Sequence, residues 1–311
     1  MSKNRMTIAV TGGTGFIGSA VIRRLLMENI SVKALARPES FSSCFIAEGL
    51  TWIQGELDDA NTASRLIENT AAVIYCAGSV RGVSEEDFRQ ANITGVETIL
   101  QAIEKSGNIK RFLLLSSLAA RIPELSFYAA SKRKGETTVQ NLAGSNTNWS
   151  IIRPPAVYGP GDRELLPLFK WMRRGIALVP GGGGGRFSLI FVDDLTEAIF
   201  SWLKSETASG SCFELHDGKE QGYSWDDVQK IAVKLWRHPI FRLNIPKNLL
   251  DSMASFNLIL ARCTGRLPML TPGKVKEICH SEWICDNTQF TLETKWQPRV
   301  LLEDGLKLTL A

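Results

Sequence analysis

The stretch IAVTGGTGFIGSAVIRRLL, residues 8–26, decides the fold. A short apolar run ends at Thr11, and helix-spaced apolar residues begin at Phe16. Between them Gly12, Gly15 and Gly18 recur at every third position. Glycines so placed permit a tight turn and a close backbone approach to a pyrophosphate, whose charge is met by the helix N-terminus. The triplet alone would carry little weight. Its place after a strand and at the opening of a helix is what marks a dinucleotide site. Thr14, Phe16 and Ile17 join the three glycines as candidate cofactor contacts.

Outward from this unit, short apolar runs alternate with helical spacing. Residues 6–10, 31–36, 51–55, 71–77, 111–117 and 149–154 read as strands, and 16–28, 61–69, 86–106 and 128–143 as helices. Nearly all-apolar strands in this alternation predict an α/β fold, a Rossmann-type doubly wound parallel sheet covered on both faces. After Pro154 the rhythm changes. The glycine run 181–185 reads as a turn, and a helix follows with Asp193 or Asp194 as its cap. Past residue 204 the alternation stops. The predicted division is a dinucleotide-binding domain over 1–160 and 187–204, and a smaller C-terminal substrate lobe over 161–186 and 205–311.

A chain of 311 residues is long enough for one large core and a satellite lobe. The net charge is +4, and the basic residues form no stripe with interleaved aromatics, so nucleic acid is not expected as a partner. Cysteines at 44, 76, 212, 263, 279 and 285 make no CxxC pair, and the pair around His280 fits no zinc spacing. No metal is expected, and the thiols read as reduced in a cytoplasmic protein. No run approaches membrane-spanning length, and the N-terminal apolar run is too short for a signal-peptide core. The most apolar late stretch, LLDSMASFNLILARCTG at 249–265, is broken by polar residues and reads as an amphipathic helix, with a peripheral membrane contact left open.

The end of the second strand bears on the cofactor. An NAD site usually offers a carboxylate there to grip the ribose hydroxyls. Here the chain reads KALARPES, with Ala36 and Arg37 at that place. A cation at this point would pair with a 2′-phosphate, so NADP(H) is expected in preference to NAD(H).

In LSFYAASKRKGE, residues 125–136, Tyr128 and Lys132 stand four apart with only small residues between them. On a helix they share one face. A free phenol is a poor base at neutral pH, and a neighbouring ammonium is expected to stabilise its phenolate. Tyr128 then suits proton exchange with a carbonyl or alcohol oxygen. Upstream, FLLLSSLAA ends a strand with Ser116 and Ser117, where open α/β sheets bind ligands.

TGGTGFIG, the strand-end serine, YAASK and the later IIRPPAVYGPG together resemble the extended short-chain dehydrogenase/reductases, the NAD(P)-dependent epimerase/dehydratase family. The landmarks run in order from about Met6 to about Leu203, and the likeness continues more loosely to the C-terminus. The resemblance implies that Tyr128 is the general acid/base, that Lys132 tunes it and holds the nicotinamide ribose, and that Ser117, better than Ser116, supplies the catalytic hydroxyl. It implies roles also for Asn92, whose alternative is a helix N-cap, and for Ala77 and Gly78 beside the ribose. Pro155 and Val157 fall beside the nicotinamide amide, and Glu56 and Leu57 beside adenine, where an aspartate is usual at position 56. A homodimer through helices 92–106 and 128–143 is a further implication of the likeness.

The departures narrow the chemistry. Leu118 and Ala119 follow Ser117 where dehydratases of the family carry an Asp-Glu pair, which leaves dehydration unsupported. Ala156 stands where nucleotide-sugar epimerases carry an asparagine, although Arg163, Arg173, Arg174 and Arg186 are candidates for a diphosphate. The C-terminal region resembles the subgroup of hydroxysteroid dehydrogenases and dihydroflavonol reductases, and Phe241, Leu249, Leu250, Met253, Phe256 and Leu260 are spaced as an apolar helical face. The expectation is an NADP(H)-preferring oxidoreductase that interconverts a ketone and a secondary alcohol on a partly apolar small molecule. The alternative is a nucleotide-sugar epimerase acting through a keto intermediate with tightly bound NAD. A non-catalytic dinucleotide-binding subunit comes last, because both Tyr128 and Lys132 are kept.

Overall fold

A computed structural model describes residues 5–264 and 267–310. β1 (Thr7–Thr11), α1 (Phe16–Met27), β2 (Ser31–Ala36), α2 (Pro38–Phe41), β3 (Leu50–Gln54), α3 (Ala60–Ile67) and β4 (Ala72–Tyr75) open the chain. They are followed by α4 (Glu86–Arg89), α5 (Gly95–Ser106), β5 (Arg111–Leu115), α6 (Phe127–Leu142) and β6 (Asn148–Arg153). The strands pair in parallel in the order β3-β2-β1-β4-β5-β6. Parallel strands with helices on both faces must be apolar on both sides, and Ile8, Ala9, Val10, Val73, Ile74, Phe112 and Leu113 are all completely buried. The apolar stripe of α1 covers one face of the sheet, and α3, α5 and α6 cover the other.

One predicted helix, 86–106, is interrupted by a π-helical turn at Gln90–Thr94. The buried Tyr75 hydroxyl donates to the Ala91 carbonyl at 2.7 Å, which draws that carbonyl out of the helical ladder. The turn carries Asn92 into the protein interior.

Next come β7 (Ala156–Tyr158), α7 (Leu166–Arg173), β8 (Ile176–Pro180), β9 (Arg186–Phe187), β10 (Leu189–Phe191), α8 (Val192–Lys204) and β11 (Ser211–Glu214). α8 joins α1 on its face of the sheet. Two sequence readings change here. Phe191 is the N-cap residue of α8, while Asp193 and Asp194 lie in the first turn. Asp194 is occupied elsewhere, accepting from the Arg299 and Val300 amides at 3.0 and 2.9 Å. β11 lies in the stretch read as substrate lobe, yet it pairs with β6 as the seventh strand of the main sheet.

The remaining elements include β12 (Tyr223–Ser224), α9 (Trp225–Trp236), β13 (Phe241–Ile245), α10 (Lys247–Thr264) and α11 (Pro272–Ile278). Together with α7 and β8 they form a distinct lobe with its own core, in which Phe169, Met172, Val228 and Ala232 pack together. β13 pairs with β8, and α10 packs on α11 through Leu250, Ala254 and Val275. Among the described residues no helix is long and apolar enough to cross a membrane.

Candidate active site

The strand order reverses direction between β1 and β4, and the crevice above such a switch point is where open α/β sheets bind ligands. The loop after β1 and the turn after β4 meet there. The Ala77 amide donates to Thr11 Oγ1 at 3.1 Å, and a Cβ on Gly12, whose φ is 68°, would lie 2.7 Å from the Ala77 nitrogen. At Gly18 a Cβ would lie 2.1 Å from the Gly12 carbonyl oxygen, so the first turn of α1 sits directly on the loop. Thr14 and Gly15 remain exposed at its crest, and Phe16 and Ile17 are half-buried behind them. A cradle closed by glycine against its own backbone and open at the crest fits a pyrophosphate. Glu56 and Leu57 follow β3, Ala77 and Gly78 follow β4, and Pro155 and Val157 follow the end of β6. The structure thus brings all of these candidates to the carboxyl edge of one sheet.

Arg37 follows β2 at the same edge, but its guanidinium pairs with Glu39 at 3.0 Å, and both side chains are more than half exposed. The carboxylate beside it offsets the charge that a 2′-phosphate would need.

Ser126 caps α6 by accepting from the Ala129 amide at 2.9 Å, which sets Tyr128 in the first turn and Lys132 one turn on. Lys132 is buried and donates to the Leu115 carbonyl at the end of β5, at 2.9 Å. Its ammonium also lies 3.3 Å from where a Gly78 side chain would begin, with the Asn92 side-chain Oδ1 3.1 Å from the same point. Asn92 is no helix cap. Its amide nitrogen donates to Ser131 Oγ at 2.8 Å and to the Ser79 carbonyl, and its oxygen accepts from the Ser79 amide. It therefore ties α6 to the turn after β4.

The two serines separate cleanly. Ser116 is buried and donates to Glu136 at 2.5 Å. Glu136 is gripped from the other side by Arg153, whose Nε and Nη2 donate at 2.8 and 2.6 Å. This anchor holds α6 to the ends of β5 and β6 and was not singled out from the sequence. Ser117 accepts from the Ala119 amide at 3.2 Å, and its hydroxyl is the one that lowers the proton affinity of the Tyr128 phenol.

The electrostatics differ from the simple picture of a lysine acidifying the tyrosine one turn away. Burial pushes the Tyr128 phenol above its ordinary value; the Ser117 hydrogen bond and the charge of Lys274 oppose this, and Glu277 reinforces it. Burial likewise pulls the Lys132 ammonium down to about 8, against smaller upward contributions from Cys76 and Glu136. The cation facing the phenol is Lys274, from α11, whose Nζ lies 5.7 Å from the centre of the Tyr128 ring. Burial pulls Lys274 down as well, but Glu277, accepting from it at 2.9 Å, outweighs this and leaves it above its ordinary value. Ser126 donates to the other oxygen of Glu277, so the cap of α6 and the lysine of α11 share one carboxylate. Lys274, Glu277 and Ser126 escaped the sequence reading because no local spacing links α11 to α6.

A cavity of about 430 Å³ opens in front of Tyr128. Val83, Phe88, Leu125, Leu258 and Met269 supply much of its wall, and Lys274 enters beside the phenol. Two arginines considered for a diphosphate are engaged elsewhere. Arg186 donates to the Gln221 and Gly222 carbonyls, and Arg173 to the Leu310 carbonyl.

A doubly wound sheet with a glycine cradle at its switch point and a tyrosine-lined cavity beside it defines an NAD(P)-dependent dehydrogenase/reductase or epimerase. Residues 8–213 match the NAD dependent epimerase/dehydratase family, and the chain belongs to that family. It is 29% identical over 279 residues to the ceramide reductase of Caulobacter vibrioides, a match covering 90% of this chain and 86% of that protein. It is 25% identical to the UDP-glucose 4-epimerase of Vibrio cholerae, over 97% of this chain and 94% of that one. Among solved structures, the UDP-glucuronic acid 4-epimerase from Bacillus cereus, in complex with UDP-glucuronic acid and NAD, superposes with a TM-score of 0.75 at 20% identity, covering 98% of each chain. MoeE5 in complex with UDP-glucuronic acid and NAD gives the same score at 18% identity, over 98% of this chain and 97% of that one. These neighbours hold NAD, which overturns the expected preference for NADP(H). The Arg37–Glu39 pair is consistent with that correction, because the arginine brings a carboxylate with it.

Proposed function

We propose that this enzyme transfers a hydride between a secondary alcohol carbon of its substrate and NAD, with Tyr128 exchanging the hydroxyl proton. NAD supplies the hydride acceptor and donor when bound. In the reducing direction the Tyr128 phenol gives its proton to the carbonyl oxygen as a C–H bond forms at the carbon. The oxidising direction starts from the Tyr128 phenolate: the substrate C–H bond breaks with its electron pair, the O–H proton passes to that phenolate, and a carbonyl forms. Ser117 and Tyr128 hold the oxygen on which charge develops. Gly12, Thr14, Gly15, Phe16, Ile17 and Gly18 would cradle the pyrophosphate, and Glu56 and Leu57 would flank adenine. Ala77, Gly78 and Lys132 would hold the nicotinamide ribose, with Pro155 and Val157 beside the amide. Asn92 acts through α6 as a positioning residue. The observation that carries the reading is the buried Tyr128 phenol, which lines the cavity and whose proton affinity the Ser117 hydroxyl lowers.

The apolar wall supports a partly apolar ketone or alcohol as substrate, and the likeness to a ceramide reductase points the same way. Nucleotide-sugar epimerisation is the second reading, and the solved neighbours favour it over NADP(H)-linked reduction. The engagement of Arg173 and Arg186 away from the cavity weighs against a diphosphate. The test begins with identifying the dinucleotide that copurifies. Net NADH oxidation with apolar ketones supports the first reading. Retained NAD with interconversion of UDP-sugars and no net redox supports the second. A Tyr128→Phe variant that keeps full activity with either substrate class removes both.

A further inference from the structure

α10 carries apolar side chains on both sides. Leu250, Ala254 and Ala261 are buried. On the outer side Leu249, Met253, Phe256, Ile259 and Leu260 are each between 48% and 63% exposed. Positions 249, 253, 256 and 260 recur at helical spacing and form one continuous stripe. The strand leading into the helix adds Phe241 and Leu243, also exposed. Single exposed apolar residues are ordinary, but a row of five on one helix marks an interaction surface.

We propose that this stripe docks on an anionic lipid bilayer, with α10 lying in the plane of the interface. The charge of this stretch of sequence fits that occupant. Between residues 242 and 276 the chain carries Arg242, Lys247, Arg262, Arg266, Lys274 and Lys276 against the single acid Asp251. Arg242 and Lys274 are matched by Asp226 and Glu277. Lys247, which opens the helix, and Lys276 make no ion pair among the described residues. Basic residues beside an in-plane apolar helix are attracted by anionic headgroups. A second copy docked through the same stripe would bring like charges together.

The inner side of the same segment explains what docking would achieve. Leu258 of α10, with Pro268 and Met269 just beyond it, lines the cavity in front of Tyr128. A substrate with an apolar body would reach the phenol from the bilayer without crossing bulk water. This consequence rests on the proposed chemistry, whereas the docking itself does not.

Cosedimentation with vesicles tests it. The full chain should bind vesicles in which a third of the phosphatidylcholine is replaced by phosphatidylglycerol, and bind phosphatidylcholine alone roughly tenfold more weakly. Replacing Phe256→Ser and Leu260→Ser together should weaken binding to the anionic vesicles at least about tenfold, with dinucleotide binding unchanged as a check on folding. Lack of vesicle binding by the wild type, or equal binding by the double variant, overturns the proposal. So does a wild type that is dimeric in light scattering and becomes monomeric in the double variant, because the occupant is then a second copy. Loss of turnover without loss of vesicle binding bears on the catalytic reading alone.

Discussion

Lys274 and Tyr128, from two different lobes, face one another with the lysine Nζ 5.7 Å from the centre of the ring. The lysine that shares a helix with Tyr128 instead donates to the Leu115 carbonyl. Burial sets the proton affinity of the phenol first and Ser117 second, and the cation that acts on it comes from α11 rather than from its own helix. Removing the cation in Lys274→Met should move the appearance of tyrosinate to higher pH by roughly one unit, the lower end of what an opposite charge at this range produces. Lys274→Arg should leave it nearly in place. The absorbance titration is clean because burial pushes Tyr75, Tyr158 and Tyr223, the other three tyrosines, far above the usual range. A wild-type midpoint retained in Lys274→Met would sever the coupling.

Lys132 should leave a pH signature in stability. Burial lowers its ammonium from 10.5 to about 8 in the folded protein. The folded state thus binds fewer protons than the unfolded chain between those values, and stability rises with pH across the window. The cost of burying the charge is fully present below about 8 and has gone by 10.5. In urea unfolding from neutral pH to 10.5, wild type should gain on Lys132→Met by up to about 3 kcal/mol. Parallel curves for the two proteins would contradict the assignment.

The sheet was legible because its information is local. β1, β4 and β5 are nearly unbroken apolar runs, and the Gly12–Gly18 loop combines a strand end, a turn and a helix start within one short segment. β11 was missed because Ser211–Glu214 is short and half polar, and it becomes a strand only through the free edge of β6. At the site, the Tyr128–Lys132 spacing located α6 correctly, but spacing fixes which face a side chain leaves from and not where a long one ends. The Lys132 amine ends at Leu115 and Gly78, and the position beside the phenol is taken by a residue whose proximity depends on how α11 docks against Ser126. Arg37 misled for a similar reason. The residue type was read without the Glu39 carboxylate two positions on.

Arg37→Ala should therefore have little effect on the cofactor. Both side chains of the pair are more than half exposed, and such pairs contribute between 0 and about 1 kcal/mol. The expected change in NAD affinity is less than about fivefold, which is what 1 kcal/mol amounts to. Calorimetric titration of NAD into both proteins checks this, and a large loss of affinity in Arg37→Ala would show that the guanidinium leaves Glu39 to contact the bound dinucleotide.

Gly18→Ala should have the opposite outcome, and it tests the cradle directly. The added methyl would sit 2.1 Å from the Gly12 carbonyl oxygen and 2.7 Å from its carbon. Both atoms are backbone, so no side chain can swing aside, and either α1 must lift or the loop must move. Gly12 has little room to yield, because its own Cα already lies against the Ala77 backbone at a φ of 68°. Overpacking of this kind costs about 1–3 kcal/mol. Displacement of the loop also takes its amides away from the pyrophosphate. NAD affinity should fall at least about tenfold, the factor that corresponds to 1.4 kcal/mol. Gly144→Ala is the matched control, since a Cβ there meets nothing within 4 Å, and it should bind NAD as the wild type does. If Gly18→Ala is correctly folded by circular dichroism and keeps wild-type affinity, the pyrophosphate does not lie on this loop, and the dinucleotide must be sought elsewhere along the carboxyl edge of the sheet.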